Sequence, residues 1–93
     1  MNTETTTLYQ VDAERVAWRT VGDEAVLLDV RNSVYFALDS WAVLLWPHLV
    51  TGATAADLTA VLAAHAPVDP ERAAADVRSF LAELDTADLL NRH

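Results

Sequence analysis

Arg15-Val16-Ala17-Trp18-Arg19-Thr20-Val21-Gly22-Asp23-Glu24-Ala25-Val26-Leu27-Leu28-Asp29 is the stretch that decides the fold. Val16, Trp18 and Thr20 alternate with Ala17 and Arg19, the period of a half-buried strand. Gly22-Asp23 supplies a tight turn, and Ala25-Val26-Leu27-Leu28 is an apolar run closed by Asp29. Arg31-Asn32-Ser33 is a second turn, with Asn32 expected to take the left-handed conformation. Val34-Tyr35-Phe36-Ala37-Leu38 then reads as a third strand of β-branched and aromatic residues. Three short strands joined by tight turns predict an antiparallel meander.

From Asp39 onward the pattern is helical. Asp39 or Ser40 is positioned to cap a helix running to about Val50, which Thr51-Gly52 stops. Pro47 removes a backbone donor inside it and is expected to kink or shorten the last turn. Thr54-Ala55-Ala56-Asp57 has the spacing of a capping box, with Asp in place of the usual Glu. It opens a second helix carrying Leu58, Val61 and Leu62 on one face and ending near His65-Ala66-Pro67. Asp69-Pro70-Glu71 is a third start, since it joins an Asp cap, a Pro at the first helical position and an acidic first turn. Ala73, Val77, Phe80, Leu81 and Leu84 recur at helical spacing through about Leu84. Asp85 to Asp88 is a break, and Leu89-Leu90 is expected to fold back on the core. Strands first and helices after give an α+β class: a three-stranded antiparallel sheet followed by three helices. Residues 1–14 are expected to be a flexible N-terminal segment, and residues 15–93 the folded domain.

The chain has 93 residues, room for one core, and 53% of them are hydrophobic. It contains no Cys, which excludes disulfides, thiolate metal sites and a thiol nucleophile. Its formal charge is −8, and all of its positive charge is Arg. Such a surface repels phosphate backbones and anionic lipid, so neither nucleic acid nor membrane is an expected partner. Met1 to Thr7 lacks a basic start and an apolar signal core. Trp41 to Val50, the longest apolar stretch, is broken by Pro47 and His48 and is far short of the ~20 residues of a membrane helix. A soluble cytoplasmic protein is expected.

No residue set for catalysis emerges. His48, His65 and His93 have no i, i+4 partner, so no metal is expected. Ser33 and Ser40 are better explained as turn and cap than as nucleophiles, and two glycines do not make a phosphate loop. Glu71, Asp76 and Glu83 read as the solvated face of a helix. No catalytic residue and no cofactor are assigned. Trp46 shares a helical face with Val43 and Val50 and reads as core, whereas Trp41 stands open between core and groove.

Gly22-Asp23-Glu24-Ala25-Val26-Leu27-Leu28-Asp29, then Arg31, Tyr35-Phe36-Ala37-Leu38-Asp39 and Leu45-Trp46, resemble the PqqD-like family. Its members are leader-peptide recognition elements of pathways that modify ribosomally made peptides. The closing helix from Val68-Asp69 to Leu84, with Leu89-Leu90, is similar in spacing, so the resemblance spans roughly Trp18 to Leu90. Asp39 stands where the family usually has Asn, Ser33 where a turn Gly is common, and Trp41-Ala42 in place of a small pair. Pro47 after Trp46 is a further departure.

The resemblance implies a winged helix-turn-helix-like fold and a non-catalytic adaptor, or chaperone, for a precursor peptide. The leader would add as a strand to the third strand, pairing with the backbone of Val34, Tyr35, Phe36 and Ala37. Ala73, Asp76, Val77 and Phe80 of the third helix would face it. Arg31 and Arg78 would meet acidic leader residues, and Asp76 a basic or hydroxyl one. The partner would be a modifying enzyme or leader peptidase. A stand-alone element of lasso-peptide type is favoured over quinone-cofactor or other radical-enzyme pathways, as a monomer or homodimer. Two other readings compete. A winged-helix DNA-binding regulator needs a basic recognition helix, but Thr54 to His65 holds no Arg or Lys. A ligand-free oligomerising subunit would pair its free strand edge with a second copy.

Overall fold

The computed structural model describes residues 7–65 and 67–93. Its elements in chain order are β1 (Leu8–Val11), β2 (Val16–Val21), β3 (Glu24–Asp29), β4 (Val34–Leu38), α1 (Ser40–Thr51), β5 (Ala53–Thr54), α2 (Ala55–His65), α3 (Pro70–Thr86) and β6 (Leu90–Arg92). The predicted meander is present, with β2, β3 and β4 antiparallel in that order. Gly22 takes a positive φ of 60° in the first turn, as a two-residue hairpin demands. In the second turn the left-handed residue is Ser33, at φ 57°, and not Asn32 as expected. Asn32 is committed elsewhere: its side-chain Nδ2 donates to Asp29 Oδ2 at 2.9 Å.

The chain also forms a second small sheet, in the order β5-β1-β6. Residues 8–11 are therefore its central strand, which corrects the expectation of a flexible segment through residue 14 for this part of it. Residues 1–6 of that expectation lie outside the described residues. Tyr9, Gln10 and Val11 pair with Arg92, Asn91 and Leu90, and Leu8 and Tyr9 with Thr54 and Ala53. Arg15 Nη1 ties the β1–β2 link to the far end of the chain through Asp88 Oδ2 at 2.6 Å.

The helices begin where the local signals place them. Thr54 and Asp57 bond reciprocally: the Thr54 N–H donates to Asp57 Oδ2 and the Asp57 N–H to Thr54 Oγ1, both at 3.1 Å. Asp69 caps α3 by accepting from the Arg72 N–H at 2.9 Å, with Pro70 as first helical residue. Asp39 occupies the N-cap of α1 in an extended conformation but makes no side-chain capping bond. α1 runs through Pro47 to Thr51, so the expected shortening does not occur. Leu45, Trp46 and Leu49 are buried on either side of the proline and hold the helix in place. α3 extends to Thr86, two residues beyond the apolar pattern, before Asp88 turns the chain at φ 63°. Leu89 and Leu90 then return to the core, as expected.

The core lies between the inner face of the meander and the three helices. Leu27, Leu45, Leu49, Leu58 and Leu89 are fully buried, each contributing about 1.5–3 kcal/mol. Trp46 is buried among them and meets Trp18 edge to face, with centroids 5.5 Å apart at 74°.

Candidate peptide-binding groove

β4 is an outer strand of its sheet, and its backbone register follows from the first turn. Val21 and Glu24 close a two-residue loop, which makes them a hydrogen-bonded pair. Bonding then alternates across β3, so Ala25, Leu27 and Asp29 bond toward Leu38, Phe36 and Val34. The N–H and C=O groups of Tyr35 and Ala37 are thereby left pointing at the open edge. Of the four residues expected to pair with a leader, Tyr35 and Ala37 present free backbone groups. Val34 and Phe36 spend theirs on β3.

Side chains alternate as well. Leu38 is buried on the core face and Phe36 is half-buried there, while Tyr35 and Ala37 face solvent, with Tyr35 69% exposed. Phe36 forms one wall of a shallow groove of ≈ 530 Å³, whose other wall is the C-terminal half of α3 at Glu83, Thr86 and Ala87. The stripe Asp76, Phe80, Glu83 follows the spacing of one helix flank. Trp41 enters from the first turn of α1 and packs its ring edge-on against Phe80, with centroids 5.5 Å apart at 71°.

The sequence-assigned residues on α3 therefore separate into two sets. Asp76 is half-buried and holds Arg72 at 3.6 Å, and Phe80 reaches Trp41. Ala73, Val77 and Phe80 are buried in the core, and the groove is lined farther along α3. They sit on the stripe that every amphipathic helix must turn inward. Arg78 lies on the opposite flank of α3, among α2 and β6 residues, away from the groove. Ala82, Glu83, Thr86 and Ala87 line the groove without having been assigned to it. The 83–87 spacing was the available signal for the last of these.

Arg31 is exposed in the turn leading into β4, and Asp29 organises that turn. The Asp29 carboxylate, itself buried, accepts from the N–H groups of Arg31 at 3.0 Å and Asn32 at 3.3 Å. The Asn32 side chain foremost, then these two N–H groups and Arg15, hold the carboxyl below its usual range. Burial opposes them. Glu83 is the one charged side chain among the described residues that line the groove.

The family model for coenzyme PQQ synthesis protein D (PqqD) matches residues 24–90. No curated protein matches the chain. Among solved structures, TbiB1 in complex with the TbiA(beta) leader peptide is similar, with a TM-score of 0.79 and 28% sequence identity. That match covers 88% of this chain and 94% of TbiB1. Because the family match takes in more than half of the sequence, including β3, β4 and all three helices, the chain belongs to the PqqD family.

Proposed function

We propose that this protein is a non-catalytic adaptor that binds the leader segment of a ribosomally synthesised precursor peptide. The observation that carries this reading is the open edge of β4, with the free backbone groups of Tyr35 and Ala37 beside an aromatic groove. An extended peptide adds to such an edge through its backbone, and its alternate side chains enter the neighbouring groove. The similar TbiB1 was solved with a leader peptide, which supports the same role here. The adaptor then delivers the precursor to a modifying enzyme or leader peptidase in the cytoplasm. The Leu27-Leu28-Asp29-Val30-Arg31 segment and the Ala-rich α3 favour a lasso-peptide pathway. The acidic flank of α3 favours a leader with a basic or hydroxyl residue facing Asp76 and Glu83. α2 carries neither Arg nor Lys, so the DNA-binding reading has no support in the helix it would use.

Fluorescence polarisation with labelled leader peptides from short reading frames beside the gene tests this. Saturable binding, micromolar to nanomolar and lost on scrambling the peptide, is expected. Absence of binding by every neighbouring leader, with the protein shown to be folded, would remove the adaptor role.

A further inference from the structure

A second cavity lies apart from the open edge of β4. It is a cleft of ≈ 570 Å³ between α2 and α3, closed at one end by β1 and β6. That volume falls within the ~300–1,000 Å³ typical of ligand sites. Its floor exists because Ala55, Ala56 and Ala74 stand where larger side chains would fill the gap between the helices.

The cleft is also electrostatically unlike its surroundings. Two of the six basic residues, Arg78 and Arg92, line it in a chain whose net charge is −8. Asp85 is the one acid among the described residues that line it, and it lies 3.7 Å from Arg92 Nη1, too far for a tight paired contact. Arg78 is exposed and makes no ion pair among the described residues. Tyr9 stands directly opposite Arg92 on the paired strand, and Thr59 faces from α2. A planar guanidinium is matched by a carboxylate, and the alanine floor by a short aliphatic group. The cleft and the groove adjoin along α3: Ala82 lines both, with Ala74, Arg78 and Asp85 toward the cleft and Glu83 and Thr86 toward the groove.

We infer that this cleft is a second recognition site, which takes a carboxylate and an adjoining aliphatic side chain from an acidic peptide segment of the enzyme that receives the leader. The inference rests on the adaptor reading for its source of ligand. Because the two sites adjoin at Ala82, leader and enzyme segment lie side by side along α3.

The test is a backbone amide NMR titration of the full chain with acetyl-Ala-Leu-Glu-Ala-amide and its Gln counterpart. The Glu peptide is expected to shift Thr59, Ala74, Arg78 and Arg92 saturably, with the Gln peptide at least about fivefold weaker. Arg78→Ala should abolish the difference between the peptides and leave leader affinity unchanged. Equal shifts by both peptides, or shifts centred on Tyr35 and Ala37, would overturn the assignment. The leader is titrated in parallel. Loss of leader binding alone counts against the adaptor role, and loss of acidic-peptide binding alone against this cleft.

Discussion

Trp41, at the first turn of α1, meets Phe80, in the middle of α3, edge to face at a centroid distance of 5.5 Å. The contact ties together two helices. Trp41 is half-buried and Phe80 nearly fully so, which makes the first an accessible surface and the second its support.

Trp41→Ala should therefore separate binding from stability. Losing the ring pair costs about 0.5–1.5 kcal/mol of stability, a modest fall in Tm. Leader affinity should fall about tenfold or more. Trp46→Ala, in the core, should instead cost about 3–5 kcal/mol. Polarisation binding and thermal unfolding of both variants check this. Unchanged leader affinity in folded Trp41→Ala would remove Trp41 from the site.

The register of β4 makes a sharper claim. Ala37→Pro removes an N–H that points at the open edge, whereas Phe36→Pro removes one that bonds to β3. Circular dichroism and unfolding should show Ala37→Pro folded and Phe36→Pro severely destabilised. Leader binding should be lost in Ala37→Pro. A leader carrying single N-methyl groups provides the reciprocal control, because alternate positions should abolish binding and the rest should not.

Asp29 gives a pH prediction. Its folded carboxyl titrates below the ordinary range, because Asn32 and the turn N–H groups favour the charged form. Its stabilisation is thus complete above the unfolded carboxyl value of about 3.9 and is lost as pH falls through the folded value. Asp29→Asn should lower the urea midpoint at about pH 7, and the gap to the natural protein should close on acidification below about pH 4. A gap that stays constant down to the acid limit would contradict this.

Gly52 tests how β1 is held. It lies at φ 109°, and a Cβ there would stand 3.3 Å from Leu8 Cδ2. Gly52→Ala should cost about 1–3 kcal/mol in urea unfolding. Gly22→Ala, at φ 60° with nothing within 4 Å, should cost less.

What the sequence made legible was local. The Gly22-Asp23 turn, the Thr54–Asp57 capping box and the Asp69-Pro70 start each lie within a few residues and were read correctly. The sheet containing β1 was not legible. Leu8–Val11 finds its partners in Ala53–Thr54 and Leu90–Arg92, and four residues without a hairpin turn carry no pairing signal. The left-handed turn residue was missed because Asn32, the better candidate by type, is spent on Asp29. At the groove, the sequence points to β4 and α3 but does not carry their parity. Whether Tyr35 or Phe36 offers its N–H outward depends on the register inherited from Val21 and Glu24. Likewise Ala73, Val77 and Phe80 differ from Asp76 only by the flank of α3 they occupy, which the packing of α1 and α2 decides.

Amide hydrogen exchange, with and without a bound leader, tests strand addition at β4 most directly. The N–H groups of Tyr35 and Ala37 are expected to become strongly protected, while Phe36, already bonded to β3, changes little. Protection that rises elsewhere and leaves Tyr35 and Ala37 exchanging as before would contradict strand addition at this edge.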